Sequence, residues 1–555
     1  MNELLSRLSR HPLLTIELII GTLFVTILNL ASPVFVIQVL NRYISHGING
    51  TLITLTTGML IAMILQFLFR LIRTRIASDI SIDADRTQAE QVLEALSSAT
   101  ALDLLGIGRV KLQECSVRLH HIRSGYSGPN ITHFLDGPFA ALYLLAAFII
   151  SPQLAWIGVA AIAVGIIIGA GNIYSSTRSA TATQQKSMEQ RNLIMSAVNN
   201  LETVRLFRGK TFLAEPFKEV TNALLGRTRR EQSGRELYRS TTIMLTILLS
   251  VVLYAVGAIQ VVDGLISVGA LIGINILVTR AFSTLTQFIG SISLINRAQR
   301  EYRNLGEILK LPREQQEGST LQHYRGTVAI QDLGFTYPGA HNPVFENVRV
   351  ELHRGDRLII TGQNGSGKTT LIRLLTGLLI PDRGSVMVDR VDLRQIDPGW
   401  WRTQIVYLPQ EPTFLPATIR DCIRAGNPEI DEEQLTTIIE QAGLEFYLNN
   451  SAEGLNTYLG EEGRSLPLGI RRRLALARAM ATGGRLVILD EPTEGLDEAG
   501  CRTVYHLLNE FVEERRTIIL VTRDQKLIRG ATKILDLDRK PSPLVQRIKA
   551  ADAHE

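Results

Sequence analysis

The sequence predicts a multi-domain protein, in which an all-α domain of six transmembrane helices precedes an α/β domain. The chain has 555 residues, several times the length of a typical single domain. Apolar residues make up 45% of it and charged residues 20%, a balance too apolar for a disordered chain. The long apolar stretches all lie before residue 315, and short β-branched runs follow that point. These observations predict a membrane domain followed by a soluble one.

Six apolar stretches are long enough to cross a bilayer, which requires about 20 residues with few charges. They run from Leu13 to Leu40, Thr51 to Ile72, Phe134 to Ile150, Leu154 to Ile173, Thr242 to Val262, and Leu265 to Ile289. Only residues 151–153 separate the third stretch from the fourth, and only residues 263–264 separate the fifth from the sixth. Each of these two pairs is therefore predicted to be a tight hairpin. A signal peptide is the competing interpretation of the first stretch, but the apolar run is too long for a cleaved signal.

Basic residues predict the orientation, because Lys and Arg accumulate on the cytoplasmic side of membrane spans. They precede the first span, follow the second and fill the segment between the fourth and fifth, whereas the short turns on the other side carry only Arg42. Both termini are therefore predicted to be cytoplasmic, with helical polar stretches at about 75–130 and 175–240 extending into the cytosol. The net charge of +5 is thereby explained without nucleic acid. Three widely spaced cysteines form neither a disulfide framework nor a zinc-ligand spacing.

The α/β domain follows a polar linker at residues 312–318. Short apolar runs at Leu358–Thr361, Ile405–Leu408, Leu486–Leu489 and Thr517–Val521 alternate with helix-like segments. Strands that alternate with helices predict a mostly parallel sheet. The predicted domain limits are residues 1–315 for the transmembrane domain and 326–555 for the α/β domain.

A glycine-rich phosphate-binding motif follows the first of these runs. It matches G-x-x-x-x-G-K-[ST] with Gly362, Gln363, Asn364, Gly365, Ser366, Gly367, Lys368 and Thr369, and Thr370 completes the predicted nucleotide-binding set. The glycines allow backbone N–H groups to surround phosphates, Lys368 reaches the β and γ phosphates, and the Thr369 hydroxyl ligates magnesium. The second domain is thus predicted to be an α/β P-loop nucleotide-binding domain. A glycine-rich turn without chemical meaning is the alternative, which the order of strand, loop and helix disfavours.

Two carboxylates end the apolar run Leu486–Leu489. Asp490 is placed to hold magnesium, directly or through water, and Glu491 to polarise the attacking water, as phosphoryl transfer requires. A solvated acidic strand end is the alternative interpretation. The four apolar residues before the pair favour a buried strand that ends at a site.

Together these features resemble the ATP-binding cassette (ABC) family, in the half-transporter layout of type I exporters. The resemblance implies ATP hydrolysis coupled to transport, with ATP and Mg²⁺ as cofactors. It implies that Tyr337 stacks on adenine and that Gln410 contacts magnesium and the attacking water as part of the catalytic set. Gly460–Gly463 resembles the exporter-specific loop that faces the cytosolic helices, and Gly495–Asp497 the loop that crosses the dimer interface.

The family signature L-S-G-G-Q is degenerate, because the same positions read Leu466, Pro467, Leu468, Gly469 and Ile470. Pro467 has no hydroxyl donor for the γ phosphate bound on the opposite cassette. Leu468 replaces a glycine whose backbone comes close to that phosphate, and Ile470 replaces the glutamine. This signature is predicted to contribute poorly to a composite ATP site.

A second departure is Arg523, which stands where the family has a histidine that contacts the γ phosphate. Arginine can donate to phosphate, but its longer, permanently charged side chain alters the geometry. A weak or conditional ATPase is predicted, with ordinary sequence drift at a working site as the alternative. A homodimer would carry the degenerate signature in both ATP sites and a heterodimer in only one, so the sequence favours a second half-transporter as partner.

An arginine in the sixth span, Arg280, points to the transport pathway, because intramembrane charges are costly and usually face a pathway or a partner. A structural ion pair at the cytosolic helix ends is the alternative. With Asp136–Phe139 and Ser32–Pro33, this pattern is similar to the exporters of bacterial type I secretion. That resemblance implies protein or peptide secretion from the bacterial inner membrane with a periplasmic adaptor and an outer-membrane channel.

Only about a dozen residues precede the first span, so no N-terminal peptidase domain is expected. Simpler secretion exporters also lack one. The runner-up function is a catalytically weak structural or regulatory subunit in a heterodimeric exporter of lipids, drugs or thiols.

Overall fold

The computed structural model describes residues 2–45, 49–107, 109–315 and 317–547. The chain divides into two compact units. Unit 1 comprises Met1–Ser97 and Leu105–Leu311, and unit 2 comprises Ser98–Leu104 and Pro312–Glu555. The predicted domain limits of 1–315 and 326–555 stay a prediction.

The chain up to Leu309 is helical. Its helices are α1 (Asn2–Arg10), α2 (Pro12–Gln38), α3 (Asn49–Ser98), α4 (Ala101–Ile107), α5 (Arg109–Gly125), α6 (Gly128–Ile150), α7 (Pro152–Asn199), α8 (Leu201–Leu206), α9 (Gly209–Val262) and α10 (Val268–Leu309). A π-helical turn, Val39–Ile44, continues α2.

Six helical segments are long and apolar enough to cross a membrane, which confirms the six predicted spans. They are Pro12–Ile44, Asn49–Ser98, Glu114–Ile150, Pro152–Tyr174, Gly209–Val262 and Val268–Leu309. Large apolar side chains are exposed along them, such as Ile53 at 68% and Phe67 at 60%. Lipid is as apolar as these side chains, so the exposure fits a multi-pass membrane protein.

The turn between the last two spans is longer than predicted. Residues 263–267 lie outside the helices, and the last span begins at Val268 instead of Leu265. The backbone N–H of Leu265 donates to the carbonyl of Gln260 at 2.9 Å, which folds the chain back after α9. Gly264 adopts φ 73°, a left-handed conformation that only glycine adopts readily. The Ser267 hydroxyl then accepts from the N–H of Ala270 and caps α10.

Two helices run far beyond the width of a bilayer. Helix α3 has 50 residues and α9 has 54. At a rise of 1.5 Å per residue they are roughly 75 to 80 Å long, whereas the hydrocarbon core is only about 30 Å thick. The polar stretches predicted to continue the spans are therefore helical, as expected.

Helix α10 lies at the centre of unit 1 and packs against α2, α6, α7 and α9. Close approach depends on glycines. A Cβ on Gly158 would lie 2.6 Å from Val278 Cγ1, and one on Gly165 would lie 2.9 Å from Phe282 Cε2. Small residues let membrane helices pack backbone to side chain, which supplies the van der Waals contact that holds them together.

A buried polar cluster fixes α1 to the other helices. The Arg7 side chain is fully buried and donates to Glu3 at 3.1 Å, to Asp85 at 2.9 Å and to Gln88 at 3.1 Å. Its guanidinium also lies 4.4 Å from the centroid of the Tyr126 ring. A buried charge requires such partners, so the N-terminal helix is held by a satisfied network.

A second buried ion pair joins the second and third spans. Arg73 Nη2 donates to Asp136 Oδ2 at 2.9 Å, and Nη1 donates to Oδ1. The side chain of Arg73 is 6% exposed. The α3 backbone at Arg73 passes close to α2, since a Cβ on Gly21 would be in ordinary van der Waals contact, at 3.6 Å, with Arg73 Cβ.

Replacing Asp136 with asparagine is expected to destabilise unit 1 by roughly 3 kcal/mol, because it leaves the Arg73 charge buried without a counter-ion. Thermal unfolding of the detergent-solubilised protein measures the effect. Asp83→Asn is the matched control, since the Asp83 side chain is 61% exposed in its pair with His11. Equal melting temperatures for the two variants would contradict the expectation.

Unit 2 contains strands and short helices. They are β1 (Val328–Phe335), β2 (Phe345–Leu352), β3 (Arg357–Thr361), α11 (Lys368–Leu375), β4 (Arg383–Val388), β5 (Val391–Asp392), α12 (Pro398–Thr403), β6 (Ile405–Leu408), β7 (Ala417–Thr418), α13 (Ile419–Arg424), α14 (Glu432–Gln441), α15 (Glu445–Asn450), β8 (Tyr458–Leu459), α16 (Leu468–Ala481), β9 (Leu486–Asp490), α17 (Glu498–Glu513), β10 (Thr517–Val521), α18 (Gln525–Arg529), β11 (Lys533–Asp536) and β12 (Leu544–Arg547).

The predicted parallel sheet is confirmed. Six strands pair in the order β12-β11-β3-β10-β9-β6, and only β12 is antiparallel to its neighbour. A four-stranded antiparallel sheet, β2-β1-β4-β5, was not predicted. One apolar core joins the antiparallel sheet to the parallel one, and a second core joins the parallel sheet to α13–α17.

The segment Ser98–Leu104 belongs to unit 2, although the residues on both sides of it in the chain, Ser97 and Leu105, belong to unit 1. Ala99 forms an antiparallel bridge with Arg313, and the N–H of Thr100 donates to the carbonyl of Pro312 at 3.0 Å. Leu102 packs against the core that contains Trp401.

Candidate functional site

The glycine-rich loop connects β3 to α11, as the motif requires. Helix α11 begins at Lys368, and Gly367 precedes it with φ 108°. A Cβ at Gly367 would lie 2.4 Å from Val344 Cγ1, so both the conformation and the space demand glycine. The first N–H groups of α11 are thereby presented at the loop, where an anion is favoured.

Lys368 points into this loop. Its Nζ donates to the carbonyl of Gly362 at 2.8 Å and to that of Gln363 at 2.9 Å. The Ser366 hydroxyl is buried and has no hydrogen-bond partner among the described residues. A buried polar group without a partner is unusual, and a phosphate oxygen would satisfy it. The loop therefore fits the phosphates of ATP.

Two of the three predicted magnesium ligands, Thr369 and Asp490, lie together. The Thr369 hydroxyl donates to Asp490 Oδ2 at 3.3 Å, and Asp490 is 2% exposed at the end of β9. Burial raises the pKa of the Asp490 carboxyl, and the Thr369 hydroxyl and the Lys368 ammonium oppose that shift. These oxygen donors fit Mg²⁺. Within the described residues no group of three or more His, Cys, Asp or Glu could hold a metal ion.

Glu491 follows directly and has a left-handed backbone, with φ 51°. Such strain is typical of functional positions. Gln410 Nε2 donates to Glu491 Oε2 at 3.2 Å, so the two predicted catalytic side chains are in contact. The neighbouring Glu494 carboxyl, together with partial burial, raises the pKa of Glu491. Glu491 directly follows the magnesium ligand Asp490 in the chain, and Gln410 is hydrogen-bonded to Glu491.

Tyr337 lies at the other side of the loop. Its hydroxyl and that of Thr370 are 3.1 Å apart, so the predicted adenine platform is tied to the first turn of α11. Its ring packs edge-to-face on Phe335 with centroids 5.0 Å apart. Both contacts fix the orientation of the ring.

Arg523 reaches the phosphate loop. Its Nη2 donates to Asn364 Oδ1 at 2.7 Å, although the two residues are 159 positions apart. The guanidinium keeps further N–H donors that could face a phosphate. The arginine thus lies beside the loop where the resemblance implies a histidine.

The degenerate signature lies at the start of α16. Leu468, Gly469 and Ile470 form the first turn of the helix and are not a loop before it. Pro467 is the N-cap residue, and no side chain caps the helix. The Leu468 side chain is 45% exposed, whereas Ile470 packs against the helical core. The first N–H groups of α16 are therefore flanked by apolar side chains.

The two loops predicted by resemblance also have defined geometry. Glu461 and Glu462 adopt left-handed backbone conformations within a short 3₁₀ turn. Asp497 caps α17 by accepting from the N–H of Gly500 at 2.8 Å. It also accepts from Arg473 Nη2 at 2.9 Å, which ties this loop to α16.

Arg280 lies in unit 1, apart from these residues. Its Nη1 donates to the backbone carbonyl of Asn29 at 2.6 Å, and the Asn29 side chain accepts from Gln66 Nε2 at 2.8 Å. Among the described residues Arg280 has no carboxylate partner, and its role in the transport pathway stays a prediction.

Three polar residues near the site were not predicted. Glu494 adjoins Glu491 and pairs with Arg472 Nη2 at 3.6 Å, while Asp538 accepts from the N–H of Gln363 at 2.7 Å. Glu494 could have been found from its spacing of three residues after Glu491 in a turn. Arg472 and Asp538 carry no comparable sequence signal, because their contacts depend on the fold.

Family models match both halves of the chain. The model described as "ABC transporter transmembrane region" matches residues 15–285, and the model described as "ABC transporter" matches residues 345–494. The chain is an ABC transporter. Its C-terminal domain is therefore an ATP-binding domain, and the transporter couples ATP hydrolysis to transport.

The fold of the transporter is that of an ABC exporter. It is similar to the structure of a bacterial Atm1-family ABC exporter with ATP bound, at a TM-score of 0.81 and 19% identity. The match covers 96% of this chain and 94% of that structure.

Curated relatives resemble the transporter along nearly its whole length. The leukotoxin export ATP-binding protein LtxB of Aggregatibacter actinomycetemcomitans is 24% identical over 94% of this chain and 74% of the relative. The alpha-hemolysin translocation ATP-binding protein HlyB of Escherichia coli O157:H7 is 25% identical over 95% of this chain and 75% of the relative.

Proposed function

We propose that the transporter exports proteins or peptides in a system similar to type I secretion. The support is the similarity to relatives named for leukotoxin and hemolysin translocation, together with the fold. In this proposal the chain lies in a bacterial inner membrane with both termini in the cytoplasm. A periplasmic adaptor and an outer-membrane channel complete the route, and Arg280 faces the transport pathway.

The ATP site supports a division of roles among its residues. Lys368 and the N–H groups of the glycine-rich loop hold phosphates, and Tyr337 holds the adenine. Thr369, Asp490 and Gln410 would hold Mg²⁺, which would supply neutralisation of the phosphate charge. Glu491, held by Gln410 at 3.2 Å, orients the water and accepts its proton.

The observation that carries the asymmetric form of the proposal is the start of α16. A helix N-terminus favours an anion through its free N–H groups. Here Pro467 offers neither an N–H nor a hydroxyl, and Leu468 covers the same end with an exposed apolar side chain. A partner half-transporter with an intact signature would complete the site built on Lys368 and Glu491.

Exposed apolar side chains support a dimer of some kind, which exporters of this fold form. In unit 1 Phe207 and Phe212 are 78% and 79% exposed at the polar end of the α7–α9 hairpin, away from the apolar spans. In unit 2 Leu415 and Phe446 are 74% and 84% exposed. Exposed apolar patches mark interaction surfaces, and a second half-transporter would cover these.

The test is ATP hydrolysis by the purified chain in lipid nanodiscs, alone and mixed with a co-encoded half-transporter. Binding of ATP without turnover until the partner is added would support the asymmetric exporter. Vigorous turnover by the chain alone would refute it and establish a working homodimer. Secretion of a reporter fused to the C-terminal segment of a co-encoded protein tests the cargo class separately.

A second candidate function rests on the same degenerate helix start. If turnover stays absent even with the partner, the chain is a structural or regulatory subunit of an exporter of lipids, drugs or thiols. The retained Lys368, Asp490 and Glu491, in contact with the residues that position them, favour the first proposal.

Replacing Arg523 with alanine is expected to weaken ATP binding by about tenfold, because a hydrogen bond to a charged group contributes roughly 1.5 kcal/mol or more. Titration with a fluorescent ATP analogue measures the change. Arg539→Ala, which removes a 58% exposed arginine nearby in the sequence, is the control. A loss of the same size in both variants would show that Arg523 has no specific role.

A further inference from the structure

A cleft of about 270 Å³ lies in unit 2, away from the glycine-rich loop. Five arginines and one glutamate provide its charged lining. They are Arg325, Arg354, Arg485, Arg515, Arg516 and Glu514.

The arginines come from separate turns that the parallel sheet brings together. Arg354, Arg485 and Arg516 precede β3, β9 and β10, which are neighbouring strands. Their first residues lie side by side, since Ile518 pairs with Arg357 and Thr517 with Leu486. The glycine-rich loop follows the other end of β3, so the cleft lies at the opposite edge of the same sheet.

The cleft is built on fixed groups. Arg485 Nη1 donates to the carbonyl of Tyr324 at 3.2 Å, and Arg516 Nη1 donates to that of Gly484 at 2.8 Å. The Arg516 guanidinium also lies 4.7 Å from the centroid of the Phe511 ring. These bonds orient both guanidinium groups and leave further N–H donors for a ligand.

The charges of the cleft are not balanced by the protein. Glu514 is the one acidic lining residue, and it pairs with Arg516. The side chains of Arg325, Arg354 and Arg515 are exposed and form no ion pair among the described residues.

Two exposed arginines elsewhere on unit 2 do have carboxylate partners. Arg349 pairs with Asp332 at 2.5 Å, and Arg502 pairs with Glu498 at 3.6 Å. The unpaired guanidinium groups in the cleft repel each other, and a bound anion would offset that repulsion.

We propose that this cleft binds a compact polyphosphate, either the phosphate chain of a nucleotide or free inorganic polyphosphate, as a second anion site of the transporter. Each guanidinium group can donate two parallel hydrogen bonds to phosphate oxygens. Several guanidinium groups around one cavity therefore favour closely spaced phosphates over a single anion. The cavity is small and concave, as small-ligand sites are. Anion binding in this cleft depends neither on the identity of the transported cargo nor on a partner half-transporter.

The test uses the full chain in nanodiscs carrying Lys368→Ala, which weakens phosphate binding at the glycine-rich loop. Isothermal titration calorimetry with sodium tripolyphosphate is expected to show one saturable site. Arg354→Gln with Arg515→Gln is expected to weaken binding at least tenfold, which is about 1.4 kcal/mol. ATP in place of tripolyphosphate distinguishes the two sources, since tighter ATP binding at the cleft would assign a nucleotide.

The matched control is Arg349→Gln with Arg502→Gln, which removes the same charge from side chains 74% and 70% exposed elsewhere on unit 2. Equal weakening in control and cleft variants, or no saturable site, would overturn the proposal. Tighter binding of poly-glutamate than of tripolyphosphate would also overturn it in favour of an acidic protein segment. If the double variant unfolds, Arg325→Gln alone serves, because the Arg325 side chain is exposed and makes no ion pair with any residue that the structure describes.

Discussion

ATP turnover by the transporter is expected to fall by roughly two to four orders of magnitude in Glu491→Gln, the range that a positioned general base contributes. The amide keeps the size of the side chain and can still bond to Gln410, but it cannot accept a proton from water. ATP binding should persist, because Lys368 and the glycine-rich loop are unchanged. Phosphate release from the active assembly measures turnover, and an equilibrium binding titration with ATP measures whether ATP binding persists.

Glu498→Gln is the control for Glu491→Gln. Glu498 lies seven positions later, and its side chain is 87% exposed in a pair with Arg502. That variant should hydrolyse ATP at the original rate. Turnover that survives in Glu491→Gln would mean that another group activates the water, and the neighbouring Glu494 would be the first to examine.

Restoring the signature is the second large expected effect. When Pro467→Ser, Leu468→Gly and Ile470→Gln are combined, turnover by the chain alone should rise about a hundredfold, the lower end of the effect of one preorganised donor to a developing charge. Serine supplies a hydroxyl and is also a favoured N-cap for α16, and glycine uncovers the first N–H groups. The measurement is phosphate release without any partner subunit.

The gain should vanish when Glu491→Gln is added, since both changes act on the same reaction. A restored signature that leaves turnover unchanged would show that the chain alone is limited elsewhere. The asymmetric proposal would then lose its main support, and Arg523 would become the next position to restore.

Much of the fold could be predicted because it follows from local patterns. Apolar runs must become helices in a bilayer, so all six spans were predicted, although several helices continue about 20 residues or more beyond the predicted limits. The strand before the glycine-rich loop and the strand ending at Asp490 also read directly from buried apolar runs. The antiparallel sheet β2-β1-β4-β5 was missed, because its central pair β1–β4 joins segments that lie on opposite sides of the glycine-rich loop in the chain, a contact that local patterns do not reveal.

In the candidate site too, residues in local motifs could be predicted, whereas contacts between distant segments could not. Lys368, Thr369, Asp490 and Glu491 were predicted from motifs, and the fold brings them together as expected. The bond between Arg523 and Asn364 joins segments far apart in the chain, so its geometry could not be predicted. The pairing of Arg472 with Glu494 is another long-range contact of this kind.

The placement of Ser98–Leu104 in unit 2 changes how the halves are connected. The chain crosses between the units after Ser97, after Leu104 and after Leu311, so three peptide connections join them. The ATP-binding unit therefore includes a segment from the region between α3 and α5 as well as the chain that follows α10. A fragment beginning at Pro312 would also lack Ala99 and Leu102, which cover part of its own surface.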